Sequence, residues 1–192
     1  MKKLKKILWG LSFITLLGLS PKAHSFFEVN GLYMTDSFDL TAEGAYSTML
    51  LDVAIGFSLD RQKKYGVGWN YSMHSITSEL NGVEDSYSST HMGPRFIWNL
   101  GREQSWTWGL TYNLKLEGTH QITGDSEYTL RGASLKTDFT YNIHLGTYSR
   151  LGLRFNYLAS RYSERLQGET DYETVSQTRT LMYPSASFTY LF

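Results

Sequence analysis

Four ionisable residues near the middle of the chain have the spacing that chemistry would need. Lys115 and Glu117 alternate on one stretch, and Lys136 and Asp138 alternate on the next. In an antiparallel pair, Lys115 with Asp138 and Glu117 with Lys136 share one residue-number sum, so one register sets both pairs opposite each other on one face. That arrangement predicts a row of ion pairs, to which Arg95, Arg154, Asp52 and Glu28 add from other segments. Such a row, enclosed, either neutralises itself and plugs the enclosure or exchanges partners and gates a conduit.

Three histidines form the second candidate. His74, His91 and His120, with Glu79, Glu84 and Asp85 nearby, supply nitrogen and oxygen donors of the kind that bind divalent metals. Their spacing matches no ligand motif, and no cofactor is expected. A hydrolase would need a serine, a histidine base and an orienting acid within hydrogen-bond reach. His74 and Ser75 are adjacent on one predicted strand, so they point to opposite faces and cannot make that pair. The chain has no Cys, which excludes disulfides, thiolate metal sites and a thiol nucleophile.

The elements that must carry these residues are strands. Segments of about ten residues with apolar residues at alternate positions read as half-apolar strands. They cover Phe27 to Thr35, Thr48 to Leu59, Gly66 to Ser78, Ser89 to Leu100, Trp106 to Gly118, Ala133 to Leu145, Arg150 to Tyr162 and Met182 to Phe192. Short turns (60–64, 101–104, 146–149) alternate with longer, acidic connections (36–44, 79–88, 119–132, 163–177). The clearest alternation puts Leu51, Val53, Ile55, Phe57 and Leu59 on one face and Asp52, Ala54, Gly56 and Ser58 on the other. Tyr33, Trp69, Trp106 and Trp108 cluster toward strand ends, as an interfacial aromatic girdle requires. The charged face could not be buried cheaply around a ligand in a soluble barrel, so the apolar face is the one expected to meet lipid. Pro94 and Pro184 delete ladder donors, and a bulge or a strand end is expected at each.

The N-terminus predicts export. Lys2, Lys3, Lys5 and Lys6 precede an apolar run from Ile7 to Leu19, and Ala23-His24-Ser25 supplies small residues for cleavage before Phe26. Residues 1–25 therefore read as a cleaved signal peptide and 26–192 as one barrel domain. The cut removes five of the 18 basic residues and none of the 18 acidic ones, leaving 13 against 18 and a net charge of −5. That balance argues against nucleic acid as a partner.

The last stretch, M-Y-P-S-A-S-F-T-Y-L-F, places Phe188, Tyr190 and Phe192 on one face and ends on Phe192. With the signal peptide and eight amphipathic strands, it resembles the closing strand of small bacterial outer-membrane barrels typified by the OmpA membrane domain, OmpX and OmpW. The resemblance spans the mature chain as a pattern and singles out no subfamily. It implies an all-β fold, a transmembrane antiparallel up-and-down β-barrel of eight strands, in the outer membrane of a Gram-negative bacterium, without a following peptidoglycan-binding domain. It implies that Phe188, Tyr190 and Phe192 signal to the barrel-assembly machinery, and that the partners are outer-membrane lipid and lipopolysaccharide. The expected state is a monomer, with any extracellular ligand at the acidic loops. Some related barrels modify lipid A, but the His-x-Ser arrangement of the deacylases is absent and the charged lumen leaves no apolar hole for an acyl chain. Eight strands leave room only for side chains inside, so the leading expectation is a packed polar lumen with a structural or surface-interaction role in envelope integrity or adhesion. A narrow channel for ions or small solutes is the alternative, and a lipid-modifying enzyme the third.

Overall fold

The computed structural model describes residues 24–39, 43–101, 103–124, 127–167 and 172–192, with residues 36–39, 43–44, 167 and 172 described as backbone only. The expected signal peptide lies outside the described residues except for His24 and Ser25, as do Asp125, Glu169 and Asp171 of the acidic connections. Among the described residues eight strands follow one another: β1 (Ser25–Asp39), β2 (Glu43–Ser58), β3 (Tyr65–Leu80), β4 (Val83–Leu100), β5 (Trp106–Ile122), β6 (Tyr128–His144), β7 (Ser149–Gln167) and β8 (Tyr172–Leu191). Each pairs antiparallel with the next, and β1 pairs with β8 to close a barrel.

Alternation of residue type drives this closure. Glu28, Asn30, Asp52, Asn70, Arg95, Thr111, Asn113, Lys136, Asp138, Arg154 and Asn156 are all buried, whereas Ile55, Leu114, Leu153 and Phe155 stand more than half exposed. The barrel is therefore inverted, polar inside and apolar outside. Such an apolar surface is unfavourable in water and satisfied in hydrocarbon, and closure leaves no strand edge to solvate there.

The outward rows have a definite height. On β3 the row runs Tyr65, Val67, Trp69, Tyr71, Met73 and turns polar at Ser75; on β2 it runs Phe57, Ile55, Val53, Leu51, Met49 and turns polar at Ser47. Five outward residues on each of these strands, spread over some nine or ten positions, thus face lipid, matching the roughly 25 Å apolar band of transmembrane barrels. At the end that carries the short turns, aromatics form a girdle of two groups: Tyr65 stacks on Phe96 and Trp98 and Phe96 meets Trp108 edge-on, while Trp106 lies against Phe139 and Tyr141. Trp106 and Trp108 belong to this girdle and Tyr33 stands at the opposite border of the β1 row. Trp69, in contrast, sits at the centre of its row, because Tyr65 and Val67 precede it and Tyr71 and Met73 follow it on the outward face.

The longer connections differ most from expectation. Strands of 15 to 20 residues exceed the nine to eleven needed to span a membrane. The stretches read as acidic loops are mostly strand, and the β3–β4 connection is only Asn81-Gly82, both with positive φ (52° and 77°), as a two-residue hairpin turn requires. Hydroxylated and acidic residues kept the ladder going beyond the membrane, where alternation no longer marks a strand.

Both prolines mark irregularities. The β4–β5 register shifts between Met92 and Arg95, beside Pro94. The β1–β8 ladder runs only from Phe26↔Leu191 to Gly31↔Ala186, stopping before Pro184, although β7 pairs with β8 past that point.

Candidate functional site

The chemistry-bearing residues converge in the lumen. Arg95 of β4 donates from Nη1 to Asp138 Oδ2 at 2.6 Å and from Nη2 to Asp138 Oδ1 at 3.0 Å, a bidentate pair. Its Nη2 also lies 3.1 Å from Glu28 Oε1 of β1. Arg154 of β7 holds Glu28 from the other side, with Nη1 at 2.9 Å from Oε1 and Nη2 at 2.7 Å from Oε2, and its Nε stands 3.5 Å from Asp138 Oδ1. Two guanidiniums and two carboxylates thus close a neutral ring, and Thr111 and Thr140 take further N–H donors. Each of the four side chains is at most 5% exposed.

The ring needs space in one wall, and Gly109 provides it. A methyl group there would come within 2.6 Å of Arg95 Nη2 and of both Asp138 oxygens. Nothing in the alternation of the sequence marked Gly109 as more than an inward strand residue.

A second bridge lies on the neighbouring level. Lys136 Nζ meets Asp52 Oδ2 at 2.5 Å, and Asn30 donates to the same oxygen at 2.7 Å. β2 and β6 are opposite walls of an eight-membered ring, so this pair crosses the whole lumen. Beside it the His74 and His91 rings lie 4.7 Å apart, and His74 Nε2 is 3.9 Å from Asp52 Oδ1.

Apolar layers sit at both ends. Phe26, Ala54, Ile97 and Leu191 form a cluster toward the short turns, where the Phe26 ring occupies the space a side chain at Gly56 would fill. Below them Asn99, Thr107, Asn142, Gln104 and Arg150 are joined by hydrogen bonds, closing the turn end with polar groups. Toward the hairpins, Leu50, Leu158 and Tyr183 are followed by Ile76, Tyr87, Leu116, Leu130 and Tyr162. The Arg179 guanidinium lies 3.7 Å from the centre of the Tyr87 ring, joining β8 to the facing wall.

The structure corrects two of the sequence expectations. Lys115 and Glu117 do not face Asp138 and Lys136. Thr111 stands opposite Lys136 and Gly109 opposite Asp138, because the β5–β6 hairpin turns at Thr123-Gly124 and the register shifts again between Asn113 and Leu116. That bulge exchanges the faces: Leu116 enters the lumen, while Lys115 and Glu117, with side chains 62% and 36% exposed, lie on the outer wall and pair with each other at 3.0 Å. The three histidines are also not one site. His120 bonds to Asp85 Oδ1 at 2.6 Å and to the Tyr128 hydroxyl near the hairpins, apart from His74 and His91. No group of three or more His, Asp or Glu among the described residues is placed to hold a metal.

One pairing was overlooked in the sequence. Ser89 and His91, two apart on β4, share a face, and Ser89 Oγ lies 2.9 Å from His91 Nε2. The other ring nitrogen contacts the Ser134 hydroxyl at 2.8 Å, so no carboxylate orients the imidazole, and both residues are buried among packed side chains. The pair completes a polar network and does not form a triad.

An eight-stranded closed ring with an apolar belt, an aromatic girdle and a charged, filled interior has the architecture of a membrane-spanning β-barrel. No family model matches the chain, and no curated protein matches it either. Among solved structures, the chain is similar to Neisserial surface protein A, with a TM-score of 0.49 and 13% identity over 89% of this chain and 97% of that one. It is also similar to the translocator domain of the autotransporter NalP from Neisseria meningitidis, with a TM-score of 0.47 and 12% identity over 97% of this chain and 68% of that one.

Proposed function

We propose that this chain is a resident outer-membrane barrel whose lumen is a plug, and that its role is structural and surface-directed, in envelope integrity or adhesion. The observation that carries this reading is the Asp52–Lys136 bridge, which crosses the lumen from wall to wall. Together with the neutral ring of Glu28, Arg95, Asp138 and Arg154 it leaves the interior locked by paired charges, and a conducting pore would need charges that do not neutralise one another. Activity then falls to the outer wall and the hairpins, where Glu79, Glu84, Glu127 and Glu164 are exposed to cations or a partner, while Asp85 and Glu173 are paired with His120 and Arg165. Phe188, Tyr190 and Phe192, all outward, serve as the signal to the barrel-assembly machinery.

Deleting the chain from its host tests the reading. The expected result is greater sensitivity to detergents and hydrophobic antibiotics with unchanged uptake of small hydrophilic solutes. Slower uptake with an intact barrier would overturn it in favour of a channel. One observation favours that second reading: Asn30 Oδ1, Asn113 Oδ1, Asn156 Oδ1 and the Tyr183 hydroxyl are buried without a hydrogen-bond partner among the described residues, and such a level can take water.

A further inference from the structure

The border between apolar and polar residues on the outer wall differs around the barrel. On β2, β3, β4 and β8 the first polar outward residues are Ser47, Ser75, Thr90 and Thr180. On β5 and β7 charged residues stand there, Lys115 with Glu117 and Arg161, and on β6, where Thr137 interrupts the apolar row and bonds Trp108, the belt ends at Arg131. Three adjacent strands therefore carry cations at the height where the apolar belt ends. In a membrane, that is the height of the lipid headgroups.

These cations surround an open cleft. A groove of about 430 Å³ is lined by Lys115, Arg131 and Arg161, with Glu117 and Glu164 also at its rim. Its floor is Gly132 and Ala133, and Ala133 pairs with Arg161 in the β6–β7 ladder, so a small side chain adjoins the arginine. The β5 bulge turned Lys115 outward onto this cleft, and a second irregularity, between Tyr162 and Glu164, adjoins it on β7. Glu117 contacts Lys115 at 3.0 Å and Arg131 at 3.4 Å, while Arg161 has no ion pair among the described residues. Three cations against two carboxylates leave one positive charge, and Leu114 leads from the cleft onto the apolar belt.

We propose that this cleft binds the phosphate of an outer-leaflet lipid headgroup, with Arg161 and Lys115 as the principal donors and the acyl chains lying along Leu114 and Leu135 below. Guanidinium forks match phosphate oxygens bidentately, and the adjoining apolar wall favours a lipid over a soluble phosphate. The inference rests on the reading of the barrel as membrane-spanning with its hairpins outward, and it names a lipid class for that outer wall.

Native mass spectrometry of the refolded barrel in neutral detergent provides the test, with phosphatidic acid, phosphatidylcholine and inorganic phosphate as probes. Phosphatidic acid is expected to bind about tenfold more tightly than phosphatidylcholine, a difference near 1.4 kcal/mol. Arg161→Gln with Lys115→Gln should erase the preference, and Arg161→Lys should keep most of it, each variant retaining the heat-shifted gel mobility of a folded barrel. Equal binding of the two lipids by the native chain would overturn the proposal. Displacement of phosphatidic acid by equimolar inorganic phosphate would overturn the lipid as occupant. An Arg161→Cys variant that an impermeant maleimide fails to label on intact cells, yet labels after lysis, would instead refute the orientation of the barrel.

Discussion

Replacing Arg95 with methionine should unbalance the lumen. The substitution removes both bonds to Asp138, at 2.6 and 3.0 Å, the contact with Glu28 at 3.1 Å and the bond to Thr111. Two buried carboxylates would then share the single guanidinium of Arg154, which already holds Glu28. Breaking a buried pair from one side leaves an uncompensated charge and costs roughly 3–5 kcal/mol. Removing the acid as well, as Arg95→Met with Asp138→Asn, leaves Glu28 and Arg154 matched, so the double variant should lose at least about 1.5 kcal/mol less than the sum of the singles. Urea unfolding of the barrel in phospholipid vesicles, followed by tryptophan fluorescence, measures all three. Losses that add within about 0.5 kcal/mol would refute the coupling, and a single loss below about 1 kcal/mol would mean that Arg95 is wet and screened like an exposed pair.

Three further outcomes are expected. Gly109→Ala should displace the Arg95–Asp138 pair and destabilise the barrel by about 1–3 kcal/mol, as overpacking does; unchanged stability in the same titration would place the ring elsewhere. Hydrogen exchange should be faster at the β8-facing amides of residues 32–35 than at those of 26–31, because the seam ladder ends at Gly31↔Ala186; uniform protection would show a fully paired seam. Replacing Phe192 with alanine, which keeps its backbone bonds to Ser25 and removes an exposed side chain whose ring contact among the described residues is Tyr190 at 6.1 Å, should impair insertion in cells while leaving refolding in vitro and stability within about 0.5 kcal/mol of the parent. Normal insertion in cells would remove its role as an assembly signal.

Strand number, pairing order, the inverted polarity and the short turns were legible because each depends on a period of two and on turn chemistry, both local properties. The seam irregularity could be anticipated from Pro184 for the same reason, since a missing N–H is a property of one residue. Register was not legible: the lumenal pairs depend on where a hairpin bends and where a bulge inserts one residue, and one slipped residue exchanges faces. Lys115 and Glu117 show the cost of assuming an unbroken ladder, and Lys136 found Asp52 across the barrel, a pairing that no spacing along adjacent strands encodes. The role of Gly109 was hidden because a missing side chain acquires meaning only from what fills its place.

Single-channel recording of the refolded chain in planar bilayers, compared with a Lys136→Ala variant, tests the plugged lumen most directly. The Asp52–Lys136 bridge and the ring beside it predict a silent bilayer for the native barrel, with any openings confined to the variant. Discrete openings by the native chain, altered when Lys136 is removed, would contradict the plug and make this barrel a channel.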